Sequence, residues 1–442
     1  MQRYYYFLKK KFIVLNKKNK GIYLFDNKVF ACMTQKKSIT VITPFYFPED
    51  TAIGLYTTQF SRFLSDKGYE VKIITGFPNY PQWKIYQSHT DYPSYISETV
   101  DGLEIIRYKQ YIPKNVTFKG RILMMLSLFY GTLVNLRKVR KSDLVICIIP
   151  FTISILPALL LSKIRKSKLW IHIQDFEFDL ALDSGIVKNN TVFLKLFKLI
   201  LSFSERKLLN SADIISSISF SMLEKIREKS KHKAPYYFPN WVSAEKINPN
   251  NYIHHTYIDS KKFTFLYSGN IGEKQDWLLC ERLCELIQIT DCIEIVIVGD
   301  GAYKNTLKNK LSKFNFVKFL PPVPYDELSD LLCSADVHFL FQKQDVVDTI
   351  MPSKILGMMA SAKPSIISGN ASSEVSKIIS QSEGGYYFTE NNTNEIYNCL
   401  LMLKEKKGEN QMGKKAREYI INTFSEKAIL NDFYSKVKEN IG

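Results

Sequence analysis

Several features that would assign this chain of 442 residues to a class of function are missing from its sequence. None of its seven cysteines forms a CxxC pair, which favours reduced, buried thiols over disulfides or a metal site. The chain has neither a DxD motif nor a GxxxxGKS or GxxxxGKT loop, so the usual signatures of a metal-chelated diphosphate and of a P-loop are lacking. No apolar run reaches the length of about 18 residues that spans a bilayer.

Negative charge is scarce at the amino terminus. The first 37 residues hold ten Lys or Arg and a single acid, Asp26, and thus +9 of the formal net charge of +17. A basic arm or a face toward anionic lipid explains this distribution as well as a nucleic-acid site does, and no nucleic-acid-binding module accompanies the charge. We therefore predict a basic N-terminal extension over residues 1–36 and expect no nucleic-acid partner.

Apolar runs separated by helix-like sequence predict an α/β fold of the doubly wound type. The chain opens this pattern with a strand at 38–43, an amphipathic helix at 55–68 and a second strand that ends at Gly76. More strands are predicted in the first half at 143–150, 169–175 and 212–219. The pattern restarts in the second half with a helix at 276–287 and strands at 263–270, 293–301, 316–323, 335–341, 364–369 and 385–388.

Two Rossmann-like αβα domains facing across a cleft are the simplest arrangement of these elements. We place the first domain at residues 37–242 and the second at 243–412. The aperiodic segment FPNWVS, at 238–243, is predicted to be the linker. The last residues, 413–442, are helical in pattern, and we expect them to cross back onto the first domain.

Ligands of open α/β sheets bind where the carboxyl ends of the strands meet, so the polar residues there are functional candidates. In the first domain, His172 lies at such a strand end, in the segment HIQDFEFD. Its ring nitrogens either have hydrogen-bond partners within the core, or one of them donates to a ligand, which would be a sugar hydroxyl or a phosphate. Its neighbours Gln174, Asp175 and Glu177 favour a ligand, because adjacent polar groups at a buried strand end are hard to satisfy otherwise.

In the second domain, three loops carry candidate residues. SGNIGEKQ (268–275) joins small residues to a lysine just ahead of a helix, which suits either a diphosphate or a plain turn. VGDG (298–301) has two glycines that allow close backbone approach or simply a tight turn. VVDTIMPSK (346–354) places an acid, a serine and a lysine between strand-like and helix-like sequence. The candidates for donor binding in these loops are Gly269, Asn270, Lys274, Gly299, Gly301, Asp348, Ser353 and Lys354.

From about residue 38 to 440 the chain resembles the GT-B glycosyltransferases of the retaining family 4. Within that family it is similar to bacterial cell-surface polysaccharide enzymes of the colanic-acid and O-antigen L-fucosamine transferase type. The segments that carry the resemblance are YFPEDTAIGLYT (46–57), NYPQW (79–83), HIQDFEFD (172–179), FPNWV (238–242), YSGNIGEKQ (267–275), VIVGDGA (296–302), DTIMPSK (348–354) and ASAKP (360–364).

The resemblance implies a nucleotide-sugar donor bound by the second domain, an acceptor bound by the first, and retention of the anomeric configuration. It places Gly54 in the glycine loop near the donor phosphate and His172 on the donor sugar. It also places Lys274 on the diphosphate and Asp348 opposite the sugar. We take His172, Lys274 and Asp348 as the catalytic candidates. The candidates on the acceptor side are Tyr80, Trp83, Asp175 and Glu177.

The sequence departs from the family pattern at two positions. Asn270 stands where a basic residue is usual, and Gly357 stands where a second acid commonly holds the nucleotide ribose. We expect Ser353 and Lys354, one helical turn before Gly357, to contact phosphate instead, at the start of a helix. Without a chelated metal, lysines and helix dipoles must neutralise the diphosphate leaving group.

The expected function is transfer of a sugar, for example N-acetyl-L-fucosamine, from a donor of the UDP-sugar type. The acceptor would be a lipid-linked saccharide of the undecaprenyl-diphosphate type, in bacterial O-antigen, capsule or exopolysaccharide biosynthesis. Neither a cofactor nor a metal is expected. Two alternatives remain: an epimerase-like enzyme with a similar cleft, and a non-catalytic scaffold, which the glycine at position 357 would suit.

We expect a cytoplasmic protein that is peripheral on the inner face of the cytoplasmic membrane. The segment FKGRILMMLSLFYGTLVNLRKVRK, at 118–141, is apolar with basic ends. Such a segment suits the interface of an anionic bilayer, but it suits a core helix with a basic terminus equally well.

Overall fold

The structure is a computed structural model. It describes residues 4–8, 11–16, 21–26, 36–50, 52–80, 82–113, 117–176, 202–288, 292–345, 353–390, 392–408 and 411–442. For residues 4–8, 11–16, 21–26, 52, 118 and 353 it describes the backbone alone. Two predicted site residues, Asp348 and Glu177, therefore lie outside the described residues, as does the side chain of Ser353.

Three strands precede the first lobe, in a stretch where the sequence predicts only a basic extension. They are β1 (Tyr4–Leu8), β2 (Lys11–Asn16) and β3 (Gly21–Asp26). They form a separate antiparallel sheet in the order β1-β2-β3.

An eight-stranded sheet forms the first lobe, in the order β11-β10-β9-β8-β4-β5-β7-β6. All its neighbouring strands are parallel except β6, which pairs antiparallel with β7. The strands are β4 (Ser38–Ile42), β5 (Glu70–Gly76), β6 (Tyr95–Val100), β7 (Leu103–Tyr108), β8 (Leu144–Ile149), β9 (Lys168–Ile173), β10 (Ile214–Ser217) and β11 (Tyr236–Tyr237).

A six-stranded, fully parallel sheet forms the second lobe, in the order β14-β13-β12-β15-β16-β17. Its strands are β12 (Phe263–Ser268), β13 (Ile293–Val298), β14 (Val317–Leu320), β15 (Val337–Phe341), β16 (Ser365–Ser368) and β17 (Gly385–Phe388). Every residue of β4, β8 and β13 is buried, because both faces of these parallel sheets are covered by helices. This is why the strands read as continuous apolar runs in the sequence.

Helices cover both sheets. Those of the first half of the chain are α1 (Ala52–Asp66), α2 (Phe118–Asn135), α3 (Ile155–Arg165) and α4 (Phe220–Lys229). Those of the second half are α5 (Trp277–Leu286), α6 (Lys304–Leu311), α7 (Leu328–Ser334), α8 (Ser353–Ala360), α9 (Glu374–Ser382), α10 (Thr393–Glu405), α11 (Gln411–Thr423) and α12 (Glu426–Ile441). Within the described ranges, none of these helices combines the length and the hydropathy needed to cross a bilayer.

The helical pattern at the end of the chain corresponds to two helices, α11 and α12, and not to one. The backbone between them pairs with the linker: Val242 N donates to Phe424 O at 3.0 Å, and Glu426 N donates to Val242 O at 3.1 Å. Beyond this break, α12 packs on the first lobe. The ring of Phe433 stacks on Phe238, with centroids 4.5 Å apart, and lies edge-on to Trp170 at 5.2 Å.

A hydrogen bond of Glu374 connects the two lobes, and another ties the linker to the first lobe. Glu374, at the start of α9 in the second lobe, accepts a hydrogen bond from Ser221 N at the start of α4 in the first lobe, at 3.0 Å. In the linker, Trp241 Nε1 donates to Gln59 Oε1 of α1 at 2.7 Å. The carboxyl ends of the two sheets therefore lie close together at α4 and α9.

Candidate functional site

The predicted donor loops of the second lobe come together at the carboxyl ends of β12 and β13. Gly269 N donates to Val298 O at 2.9 Å, and Ile271 N donates to Asp300 O at 2.8 Å. A Cβ added at Gly299 would overlap the carbonyl oxygen of Gly269, and one added at Gly301 would overlap that of Ile271. Both positions have positive φ, so glycine is required for the close approach of the two loops.

Lys354 joins this cluster from the first turn of α8. Its Nζ donates to Asn270 O at 3.1 Å and to the hydroxyl oxygen of Tyr267. The ammonium also lies 4.5 Å from the centroid of the Tyr267 ring. A Cβ at Gly269 would overlap the side chain of Lys354, so the glycine at this position leaves room for the lysine.

Burial lowers the pKa of Lys354 to about 7. Among the described residues, the hydrogen-bond partners of Lys354 are a carbonyl and a phenol, neither of which carries a full negative charge. An anion placed beside Lys354 would raise its pKa again and favour the ammonium form. The arrangement in this part of the chain therefore suits a negatively charged ligand.

Lys274 is in the turn between β12 and α5, four residues after Asn270. Its side chain is exposed, and its carbonyl oxygen accepts a hydrogen bond from Lys343 N at 3.1 Å. The N-terminus of α5 already has a carboxylate, since Asp276 accepts a hydrogen bond from Leu279 N at 3.0 Å. A diphosphate would therefore meet a negatively charged cap at the start of α5.

Position 357 faces the apolar interior. A Cβ added at Gly357 would lie 3.1 Å from Leu332 Cδ1 and 3.7 Å from Ile247 Cδ1. A carboxylate at this point of α8 would be turned toward apolar side chains, so the glycine is explained by packing.

His172 is buried at the carboxyl end of β9 and has partners for both ring nitrogens. Its Nδ1 lies 2.9 Å from Ser216 Oγ, and its Nε2 lies 2.9 Å from Gln174 Nε2. Because an amide nitrogen donates, Nε2 accepts and the proton resides on Nδ1. Burial lowers the pKa of His172 to about 3, so the ring is neutral. In this arrangement the histidine is satisfied by the protein, and its predicted contact with the donor sugar stays a prediction.

Gly54 lies in the first turn of α1 and not in a loop, and the loop before it is held by a residue that is not among the predicted candidates. Glu49 is 2% exposed; its carboxylate accepts hydrogen bonds from Tyr46 N at 2.9 Å and from Asn79 N and Tyr80 N at 2.8 Å each. A Cβ at Gly54 would overlap the backbone of Glu49. Burial raises the pKa of Glu49 to about 7. A single carboxylate thus ties the loop after β4 to the loop after β5.

The acceptor-side candidates Tyr80 and Trp83 lie on the second of these loops. Their rings are edge-on, with centroids 6.0 Å apart, and Phe45 from the loop after β4 lies 5.5 Å from Tyr80. Asp175, another acceptor-side candidate, follows β9 and is partly buried. The three aromatic side chains and the buried Glu49 form one connected group at the carboxyl end of the first sheet.

Arg107 on β7 is a second buried residue that the sequence did not reveal. It is 1% exposed, its Nε donates to Glu98 Oε1 at 2.5 Å, and its guanidinium also donates to Phe47 O and Gly76 O. Its bonds to two strand-end loops reinforce those of Glu49. Across the described ranges, no group of three or more His, Cys, Asp or Glu side chains is arranged to hold a metal ion.

Comparison with known proteins identifies the second lobe. Residues 262–406 match the sequence family of glycosyl transferases group 1. Over 419 residues the chain is 29% identical to WcaI of Escherichia coli (strain K12), a protein named for a glycosyl transferase of colanic acid biosynthesis. The match covers 89% of this chain and 98% of WcaI.

Solved structures share the two-lobed architecture at low sequence identity. The sucrose-phosphate synthase of Thermosynechococcus elongatus superposes with a TM-score of 0.69 at 15% identity, over 91% of this chain and 99% of that one. HepE of Anabaena, solved with UDP and glucose, superposes with a TM-score of 0.64 at 10% identity, over 91% of this chain and 100% of HepE. These structural similarities confirm the predicted fold of two facing Rossmann-like domains. The matches to the group 1 family and to WcaI confirm the resemblance to the family 4 enzymes.

Proposed function

We propose that this chain uses a nucleotide-diphosphate sugar of the UDP type as its donor. It is a glycosyltransferase with the GT-B fold, and its second lobe matches the group 1 glycosyl transferases. The acceptor is a lipid-linked saccharide of the undecaprenyl-diphosphate type, in bacterial O-antigen, capsule or exopolysaccharide biosynthesis. The name of WcaI, which refers to colanic acid, supports a polysaccharide product. The solved complexes of HepE with UDP support a uridine donor. The sugar proposed is an amino-deoxysugar such as N-acetyl-L-fucosamine.

The observation that carries the donor assignment is Lys354 beside the loop of Gly269 and Asn270. Sugar transfer from such a donor needs a diphosphate leaving group whose developing charge is neutralised. Lys354 stands at the start of α8, where backbone N–H groups also favour an anion. Lys274, which is exposed on the turn between β12 and α5, is a second candidate cation for the diphosphate. We assign both lysines to the diphosphate and Ser353 to a phosphate oxygen.

For the chemical step we propose that the anomeric configuration is retained and that no metal ion is required. His172 then contacts the donor sugar from the first lobe, Asp348 faces the sugar from the second, and the leaving phosphate helps to deprotonate the acceptor. Tyr80, Trp83, Asp175 and Glu177 bind the acceptor. Product stereochemistry determined by NMR, and turnover in excess EDTA, are the measurements for these two points; an inverted product or a loss of turnover in EDTA would contradict them.

The donor assignment is tested by thermal unfolding with nucleotides. UDP at a hundredfold excess over its Kd is expected to stabilise the protein by about 2.7 kcal/mol, and GDP at the same concentration by much less. Lys354→Met should remove the stabilisation by UDP, because the cation beside the loop is lost. Lys308→Met, at an exposed lysine of α6, is the matched control and should keep it.

The same experiment separates this proposal from its alternatives. If UDP stabilised Lys354→Met as strongly as the parent, the diphosphate assignment would be wrong. If no nucleotide stabilised the parent, a non-catalytic scaffold would be the better explanation. Conversion of a UDP-sugar to its epimer without any acceptor would favour an epimerase.

We further propose that the protein is cytoplasmic and works as a peripheral protein on the inner face of the cytoplasmic membrane. A lipid-linked acceptor presents its sugar at the bilayer surface, so the first lobe has to come close to that surface. The apolar helix α2 with its basic flanks supports this location.

A further inference from the structure

Helix α2 presents a row of large apolar side chains to solvent. Ile122 is 40% exposed, Leu126 is 48% exposed and Tyr130 is 61% exposed. These positions are four residues apart, so they lie on one side of the helix. The opposite side is buried, with Met124 and Leu128 each 4% exposed in the core. One helix therefore has two apolar sides, and the sheet covers only one of them.

Helix α3 repeats this arrangement. Leu156, Leu160 and Ile164 are 43%, 42% and 55% exposed and again follow one another at intervals of four residues. On its other side, Ala158 and Leu161 are fully buried. Solvent-exposed apolar residues that occur singly need no explanation, but two complete rows do.

The helices that carry the two rows lie side by side. α2 and α3 contact each other, and their buried residues belong to the same apolar cluster on one face of the first sheet. Both exposed rows must therefore point away from that sheet. Each row extends about 12 Å along its helix, from the rise of 1.5 Å per residue. We call this surface, defined by residues 122, 126, 130, 156, 160 and 164, the α2–α3 face.

The charge around the α2–α3 face has one sign. Residues 117–168 contain ten Lys or Arg and a single acid, Asp143. Asp143 has partners within the lobe, because it accepts a hydrogen bond from Ser38 N at 2.8 Å and lies 3.6 Å from Lys141 Nζ. Lys119 and Lys163, one turn from the two rows, are exposed. The border is thus basic and without a counter-charge of its own on either helix.

We propose that the α2–α3 face docks on the surface of an anionic phospholipid bilayer, with its apolar rows in the acyl boundary and its lysines and arginines among the headgroups. An apolar stripe with a basic border is the combination that binds such interfaces. A twofold contact with a second copy would bring two basic borders together, which disfavours that occupant. The inference rests on the proposed function for its biological sense, since a lipid-linked acceptor is met at the bilayer.

The test is co-sedimentation of the full chain with vesicles. The parent should bind vesicles of phosphatidylglycerol and phosphatidylcholine, and bind pure phosphatidylcholine at least tenfold more weakly. Leu126→Asp/Leu160→Asp should reduce binding to the mixed vesicles by about tenfold or more, because two carboxylates would enter the interface. Ile253→Asp/Leu278→Asp changes two apolar residues of the second lobe that are 77% and 50% exposed, and should bind like the parent.

A second variant, Lys119→Glu/Lys163→Glu, keeps the apolar rows and reverses two border charges. It should weaken binding to mixed vesicles by about thirtyfold or more, at roughly 1 kcal/mol for each basic residue near an anionic surface, and leave the weak binding to phosphatidylcholine unchanged. Thermal midpoints of both variants should match that of the parent, because every changed position is exposed.

Three outcomes would overturn the docking proposal. One is a parent that binds no vesicles, and another is a Leu126→Asp/Leu160→Asp variant that sediments like the parent. The third is a parent dimer in light scattering that this variant dissociates, which would assign the face to a second copy. Stabilisation by UDP is measured on the same proteins: its absence from the parent would refute the proposed donor and leave the docking result standing.

Discussion

At the scale of single residues, two buried charged side chains shape the first lobe's loops. Glu49 accepts three backbone hydrogen bonds, and Arg107 donates to two backbone carbonyls and to Glu98. Both hold loops that follow strands, where backbone groups have lost their partners in the sheet. Tyr80, an acceptor-side candidate, receives its position through one of these bonds.

Glu49→Gln is expected to lower the free energy of unfolding by about 1–3 kcal/mol, because the new amide group would face Tyr46 N, a donor, and leave that donor unpaired. Glu49 gives up its proton near pH 7 when folded, against 4.5 for the ordinary value. The folded protein thus binds the extra proton between these values, so the contribution of Glu49 to stability is largest below pH 4.5 and falls as the pH rises to 7.

Glutamine does not titrate, so the deficit of Glu49→Gln should be larger at pH 5 than at pH 8. Urea denaturation at both pH values measures this difference. Glu70→Gln, at an exposed position of the same lobe, is the control. An equal deficit at both pH values would show that Glu49 has an ordinary pKa.

At the scale of elements, the junctions between strands and helices determine which helix end can accept a ligand. α5 has Asp276 as its cap, and the start of α4 receives Glu374 from the other lobe. α8 instead begins beside a lysine that points to the neighbouring loop. The dipoles of the three helices are similar, so the described side chains beside each helix start determine how well it accepts an anion.

Gly269→Ala should abolish stabilisation by UDP while the protein remains folded. The residue has a φ of +140°, and an added Cβ would displace the side chain of Lys354. Gly68→Ala is the matched control, with a φ of +94° and no atom within 4 Å of an added Cβ. Both changes should cost about 1–3 kcal/mol of stability in backbone strain, as measured by urea denaturation.

Stabilisation by UDP should be lost in Gly269→Ala and kept in Gly68→Ala. If both variants lost it, or if both kept it, the role given to Gly269 and Lys354 would be contradicted. A crystal structure of Gly269→Ala should show Nζ of Lys354 moved away from Asn270 O.

At the scale of the whole molecule, one carboxylate from the second lobe caps a helix of the first. Glu374 is 8% exposed, and burial raises its pKa. Its partner Ser221 N belongs to the first turn of α4, next to Ser219, which caps Met222 N. The helix end is therefore completed by a residue 153 positions away in the chain.

Glu374→Ala is expected to weaken the contact between the lobes, because the start of α4 would lose a charged acceptor. Small-angle scattering should show a larger radius of gyration than for the parent. Glu383→Ala, at an exposed acid that pairs with Lys415, should leave the radius unchanged. An unchanged radius for Glu374→Ala would mean that other contacts hold the lobes in place.

Much of the fold follows from local pattern. β4, β8 and β13 are apolar throughout because both faces of each strand are buried, and that pattern is legible without the structure. Two strands of the first sheet that the sequence did not predict have other patterns. β6 alternates between exposed and partly buried residues at the edge of the sheet, and β7 contains the buried charge of Arg107.

Fewer residues of the candidate site could be predicted from the sequence. Its glycines and Lys354 were selected from their place after strands, and the structure brings them together. Glu49 has no local signal because an acid in a loop is normally solvated, and two of its three donors come from about 30 residues further on. The predicted roles of His172 and Lys274 concern contacts with ligands, and they stay predictions.

The sequence by itself determined the succession of strands and helices and the loops that hold the polar residues, because hydrophobic periodicity and turn chemistry act over a few residues. The tertiary structure alone decided which charges are buried, which helix ends are capped and where Gly357 points. Those outcomes depend on desolvation and on hydrogen-bond partners that are distant in the chain, so no local pattern records them.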